Sequence, residues 1–339
     1  MNDRPDDPVA ATLERFFAAF PAGPIGVESV ELGKSRARVL AADVTAAINS
    51  PPFSRALVEG FLVNVADTGN AGDNTPVSLT VSGTIGPGKT FEGSLLSGTC
   101  REVSTGSFVP EGAYAVARYM DIVKSEKGIV IKRPYKRGDN IEVMGCEIKR
   151  GDLILKGGTR LSPKEIMVLA GQGIPSVEVA KRPRIAVFCS GDEVLPLSKS
   201  LAPGYVWDAN SYALAAQIEE YGGVPQSCGI MKDDLVAFKM ALKDGLSQAD
   251  MAVISGGTAI GGREFITELI NSLGEPGVVI NGVPMRSGKP LIMGIIAGKP
   301  IVCVAGYPPE AIRGFELFGR PTIKRLLGQS PHPPFSKEG

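Results

Sequence analysis

The sequence predicts an α/β protein of more than one domain, on three observations. From residue 181 onward, short and almost continuously apolar runs alternate with amphipathic helical segments, the pattern of a parallel-type sheet covered on both faces. Roughly 46 to 137 is instead rich in Gly, Thr, Val and Ser, with alternating runs such as "PVSLTVSGTI" and "EKGIVIKR" that read as β structure with frequent turns. A length of 339 residues suits two or three domains.

In chain order, Val9, Leu13, Phe16, Phe17 and Phe20 recur at helical spacing within 8 to 20. Between 138 and 180 one helix is clear. Ser162 is its N-cap, Pro163 its first residue, Glu165 completes a capping box, and Gly171 or Gly173 stops it. The last region opens with the strand "RIAVFCS". The helix "NSYALAAQIEEYGG" follows, capped at Asn210 or Ser211 and stopped by Gly222. Next come the strand "VPQSCGIM", the helix "DDLVAFKMALKDGL", the strand "DMAVISGG" and the helix "REFITELINSLG". "PLIMGIIAGKPIVCVAG" reads as two buried strands, and "PPEAIRGFELFGRPTIKRLLG" as a closing helix.

Composition narrows the chemistry. Lys+Arg and Asp+Glu both number 36, so no overall charge draws the chain to nucleic acid or an anionic membrane. The N-terminus is acidic and lacks an apolar signal segment, and no run is long enough to span a bilayer, so a cytoplasmic protein is expected. The five cysteines form no CxxC pair and read as buried free thiols. The single histidine, His332, lies in a Pro-rich tail, which excludes a Ser-His-Asp triad within one chain. Acid–base and metal work therefore falls to carboxylates, lysine and hydroxyls.

Three stretches compete as sites. "GTIGPGKT", residues 83–90, satisfies the P-loop pattern with Lys89 and Thr90, but Gly93 and Gly98 break any helix after it; a glycine-rich β-hairpin is the better reading. "SGGTAIGGRE", residues 255–264, follows an apolar strand and opens a helix. Gly256 and Gly257 could bare backbone N–H groups to a phosphate, or form a plain strand-to-helix turn. The third is a set of carboxylates at predicted strand ends: Asp192 and Glu193, Asp233 and Asp234, and Glu264. Around phosphate-binding glycines they suggest Mg²⁺; helix N-capping by Asp233 and Glu264 is the plainer alternative.

Seven segments in order then match one family: "NSPPFSRALVEGF", "TGSFVPEGAYAV", "GCEIKRGDLIL", "RPRIAVFCSGDE", "SGGTAIGGRE", "PMRSGKPLIMG" and "VAGYPPEAIRGFELFGRP". Over about residues 8 to 328 the chain resembles the molybdopterin molybdenumtransferases, the MoeA and gephyrin E-domain proteins. The resemblance implies a multidomain α/β fold. A small helical and extended domain comes from 1–45 and 138–180, a β-rich domain (46–137) is inserted in it, a three-layer α/β molybdopterin-binding domain spans 181–328, and a Pro-rich tail (329–339) follows. It implies molybdenum cofactor biosynthesis: adenylated molybdopterin and molybdate, or tungstate, as substrates, metal insertion with release of AMP, and help from Mg²⁺. A homodimer and a further partner in cofactor biosynthesis are also implied.

By the same resemblance, Glu59, Glu193, Glu264 and Lys289 are catalytic. Thr105, Ser190, Gly191, Asp233, Ser255, Gly256, Gly257, Thr258 and Pro308 bind the pterin, and Glu193, Asp233 and Glu264 hold the metal. Some positions depart from the family pattern. Glu59, Glu147 and Glu264 stand for aspartates, Arg286 for a lysine, Tyr307 for an asparagine and Glu310 for a serine. Family members also continue into a small β domain beyond "RLLG", where this sequence has only its short tail. Those departures support a second expectation, a pterin-binding carrier, scaffold or sensor without metal insertion.

Overall fold

A computed structural model of the chain describes residues 7–20, 23–258, 262–283 and 291–329. The chain divides into two compact units. One comprises Met1–Ala42, Lys156–Ile166 and Pro175–Gly339; the other comprises Asp43–Leu155 and Met167–Ile174.

The first unit is built on a six-stranded sheet. Its spatial order is Val224–Met231, Arg184–Ser190, Met251–Ser255, Lys299–Val304, Ile292–Ile296 and Pro276–Asn281. The first four strands run parallel; Ile292–Ile296 is antiparallel to both its neighbours. The sequence reading missed Pro276–Asn281, a half-buried edge strand without the continuous apolar run of the central ones.

A strand sends successive side chains to opposite faces. Ile185 and Val187, Met251 and Val253, and Val302 and Val304 join one core with Leu214, Ile218, Phe315 and Phe318. Phe16, Phe17 and Phe20 from the N-terminal helix Pro8–Ala18 and the turn after it enter the same core. Ala186, Phe188, Ile254 and Cys303 join the opposite core with Phe238, Leu242, Ile266 and Leu269. Two apolar faces therefore need two helix layers, which makes the unit three layers thick.

Caps explain where several helices begin. Ser162 and Glu165 form the expected capping box: the Ser162 N–H donates to Glu165 Oε2 (2.9 Å), and the Lys164 N–H to Ser162 Oγ (3.2 Å). Asn210–Glu220 departs from expectation, because its first turn is held by Asp208, whose Oδ1 accepts from the Ser211 N–H (3.0 Å). Asn210 is buried and bonded elsewhere. The closing helical stretch is interrupted by a π turn at Phe315–Gly319, just before Pro321, which has no N–H to donate.

The second unit carries its own six-stranded sheet, in spatial order Tyr114–Arg118, Gly60–Asn64, Thr99–Val103, Val77–Ile85, Gly128–Ile131 and Ile122–Ser125. Val77–Ile85 and Thr99–Val103 pair in parallel. The expected glycine-rich hairpin at residues 83–90 is therefore corrected: the loop from 86 to 98 is a crossover between parallel strands, which a tight turn cannot make. No helix follows Lys89. Two clusters cover this sheet, one with Phe61, Val63 and Ala117, the other with Leu62, Val103 and Val116.

Candidate functional site

Strand Arg184–Ser190 has parallel neighbours on both sides, Val224–Met231 and Met251–Ser255. The chain goes first to one side of it and then to the other. Such a reversal opens a crevice at the carboxyl ends of the strands, the usual ligand position in open α/β sheets. Ser190, Gly191, Ser255, Gly256 and Gly257 stand at that end.

Close backbone packing shapes the crevice. A Cβ on Gly256 (φ +102°) would lie 2.3 Å from the Ser190 carbonyl oxygen, and one on Gly257 (φ +65°) 2.9 Å from Ile266 Cγ1. Only glycine fits both backbone conformations and both approaches. Gly262, the first residue of the helix Gly262–Asn271, is packed so that its own Cβ would meet the Gly257 carbonyl oxygen at 2.9 Å. The glycine turn thus lies against the amino end of that helix, where free N–H groups and the dipole favour an anion.

Asn210 secures this turn. Its Nδ2 donates to Ser255 Oγ (2.7 Å) and to the Gly306 carbonyl (2.8 Å), while Ser255 Oγ donates to the Ala305 carbonyl (3.2 Å). One buried amide thereby joins two loops. Its Oδ1 is buried with no hydrogen-bond partner among the described residues. Sequence reasoning missed this role, because an Asn at a helix start reads as a cap. The available signal was its neighbour Asp208, which can cap the helix and leave Asn210 free.

The two aspartates after the second strand separate by function. Asp234 Oδ1 accepts from the Val236 and Ala237 N–H groups (2.9 and 3.0 Å) and caps the helix Leu235–Gln248. Asp233 is the one facing the crevice, where its Oδ1 lies 3.4 Å from Ser190 Oγ. Glu193 is exposed, and its carboxylate oxygens lie 2.7 and 2.9 Å from where a Gly191 Cβ would sit. Gly191 in turn donates its N–H to the Met231 carbonyl (3.2 Å), drawing the loops after the first two strands together.

Glu264 stands in the first turn of Gly262–Asn271, Thr258 is buried at 3% exposure, and Pro308 is the exposed first residue of Pro308–Gly314. Among the described residues, no three acidic, histidine or cysteine side chains group closely enough to hold an ion by themselves. Glu193 lies against Gly191 and Asp233 beside Ser190. Lys289 and Arg286 lie outside the described residues, as does His332.

Glu59 and Thr105 belong to the second unit, where Gly60 pairs with Val103, so both lie at the same end of that strand pair. Both are exposed. A Cβ on Gly60 would lie 2.0 Å from the Ala117 carbonyl oxygen, which requires glycine right after Glu59.

A cleft of about 1000 Å³ opens beside Gly191 and Asp192, lined among others by Lys199, Tyr205, Tyr212 and Lys232. An apolar cleft with a few polar groups is the common form of a small-molecule site. Desolvation pushes the thiol of buried Cys189, next to Ser190, up to about 12. Of the five cysteines, Cys146 is exposed and Cys228 half-buried, against the expectation that all are buried.

Residues 8–173 match the MoeA N-terminal region (domain I and II), and residues 186–325 match the probable molybdopterin binding domain. A molybdopterin molybdenumtransferase of a Nostoc species is 31% identical over 304 residues, covering 89% of this chain and 70% of that protein. One from Staphylococcus epidermidis is 28% identical, covering 88% and 71%. A solved structure of a molybdopterin biosynthesis MoeA protein from Pyrococcus horikoshii superposes with a TM-score of 0.82 at 34% identity, covering 95% of this chain and 80% of that one.

Proposed function

The chain belongs to the molybdopterin molybdenumtransferase family, and we propose from that membership that it inserts molybdenum into molybdopterin in cofactor biosynthesis. Its substrates are adenylated molybdopterin and molybdate or tungstate, and AMP is released. The observation that carries this reading is the glycine turn at the sheet's reversal point. Gly256 is packed on the Ser190 carbonyl and followed by a helix amino end, a place suited to a substrate phosphate.

In this reading the Gly257 amide, with Ser190 and Thr258, receives the phosphates, while Gly256, Gly191 and Ser255, which donate to the carbonyls of Val304, Met231 and Ala305, hold the shape of the pterin site. Asp233 and Glu193 supply carboxylate oxygens to Mg²⁺, and Glu264 stands at the edge of the same site. Mg²⁺ is commonly held by one or two carboxylates, with substrate phosphates and water completing its shell, so a pair of acids fits it without a three-acid cluster. When bound, the ion supplies positive charge beside the phosphates. Lys289 adds a further cation and Pro308 shapes the opposite wall.

Glu59 and Thr105 complete the site of a partner copy in a homodimer. The three-part division at 1–45 with 138–180, 46–137 and 181–328 belongs to the same proposal, as does a cytoplasmic location. Among the described residues no helix is long and apolar enough to cross a membrane.

The test is AMP release from adenylated molybdopterin, with and without molybdate and Mg²⁺. Release should require both ions and fall in Asp233→Ala and Glu193→Ala. Pterin binding without molybdate-dependent release would favour the carrier reading. The first turn of Pro308–Gly314 offers a reason for it: Glu310 adds a negative charge there. Absence of pterin binding in calorimetry would overturn both readings. A monomer by light scattering at micromolar concentration would overturn the dimer.

A further inference from the structure

The chain is neutral overall, yet four arginines line one small pocket in the first unit. It measures about 140 Å³ and is bounded by Arg36, Arg38, Arg160 and Arg182, with Glu219 the carboxylate among its lining residues. None of the ion pairs among the described residues joins Glu219 to any of the four.

Three of the four guanidiniums are held in place by main-chain carbonyls. Arg160 donates from Nη2 to the Glu220 carbonyl (3.0 Å) and from Nε to that of Ala37 (3.4 Å). Arg182 donates from Nη2 to Gly223 (2.5 Å) and from Nε to Gly222 (3.3 Å). Arg38 donates from Nη2 to the Ala180 carbonyl (2.8 Å) and pairs with Glu28.

Capping the end of the helix Asn210–Glu220 accounts for part of this arrangement. It uses one edge of each fork. A guanidinium has five N–H donors, so Arg160 and Arg182 each keep Nη1 for another acceptor. Arg36 makes no hydrogen bond or ion pair with any described residue, so capping does not explain its presence. The surrounding field is positive as well: burial, then the nearby Arg320 and Arg160, push the Lys324 ammonium below the ordinary lysine range.

Like charges gathered this way repel, and a bound anion relieves the repulsion. Pre-set guanidinium forks match oxygens spaced as in phosphate. The pocket has room for one tetrahedral ion and bridging water, since a water occupies about 30 Å³. We propose that Arg36, Arg38, Arg160 and Arg182 form a second anion site that takes a tetrahedral oxyanion of the phosphate and molybdate type. It shares no residue with the glycine turn. Asn210 braces that turn at one end of the helix, and Glu219 lines the pocket at the other, roughly 14 Å along at 1.5 Å per residue.

The test is calorimetry on the full chain with inorganic phosphate and, separately, sodium molybdate, each against chloride at matched ionic strength. A saturable oxyanion site that depends on the pocket arginines is expected, distinct from any binding at the glycine turn. Arg160→Gln/Arg182→Gln should weaken it by about tenfold or more, on the scale of charge-assisted hydrogen bonds. Arg36→Gln removes no contact that the fold uses and should still weaken it several-fold. Asp233→Asn should leave it unchanged. Tighter phosphate binding would point to a phosphate-bearing ligand, and tighter molybdate binding to capture of the metal substrate; either supports the site. Equal heat with chloride, or phosphate affinity indifferent to Arg36→Gln and to the double variant, would overturn it.

Discussion

Two glycine-rich loops in this chain look alike on paper and differ in three dimensions. At Gly256 and Gly257 the missing side chains make room for other atoms, the Ser190 carbonyl and Ile266. At Gly86 and Gly88, inside the P-loop-like stretch, an added Cβ would meet nothing within 4 Å. The first turn ends a central strand and runs into a helix of ten residues; the second leads into an open crossover. Glycine content alone therefore does not mark an anion site. What matters is whether the space left by the side chain is filled by main chain and aimed at a helix amino end.

The largest effect is expected where that space is filled. Gly256→Ala would force a main-chain contact of 2.3 Å apart and strain a left-handed φ, for a loss of about 3 kcal/mol or more in urea unfolding. A midpoint matching the wild type would break the comparison at its root. Gly257→Val, with a branched side chain at φ +65° against Ile266, should abolish pterin binding in calorimetry. Next comes the brace. Asn210→Asp exchanges the donor that reaches Ser255 Oγ and the Gly306 carbonyl for an acceptor, and should cost about 1–3 kcal/mol with weakened pterin binding. Unchanged stability would show that the two loops need no tie.

A smaller effect is expected in the β-rich unit, where an ion network provides stability apart from its open loop. The Asp121 carboxyl is held below the usual carboxylate range, first by its hydrogen bond to Arg118, with Arg133 adding to it. A depressed folded pKa contributes stability that is present at neutral pH and lost as pH falls through the folded value. Asp121→Asn should thus cost about 1 kcal/mol at pH 7 and flatten the fall of stability below pH 4. Parallel pH curves for variant and wild type would refute this. The smallest effects belong to the open loop itself. Gly86→Ala and Lys89→Ala should each stay within about 0.5 kcal/mol and leave ATP and pterin binding unchanged. Loss of tight ATP binding in Lys89→Ala would restore the P-loop reading.

Periodicity showed the central strands and most helices, because burial on both sheet faces demands long apolar runs and caps demand particular residues. It passed over Pro276–Asn281, an edge strand under weaker demands. It also read Asn210 as a cap, since a cap and a buried brace call for the same residue type. Asp233 and Asp234 were indistinguishable as neighbours until one of them turned towards the helix amides.

The order of apolar runs and caps by itself determined that this chain forms an α/β sheet with glycines and acids at its strand ends. These are local demands, met by residues adjacent in sequence. Only the tertiary structure decided that the carbonyl of Ser190 fills the space over Gly256, that Asn210 ties Ser255 to Gly306, and that four arginines from segments far apart line one pocket. Each of these depends on which distant segments meet, and long-range packing alone sets that.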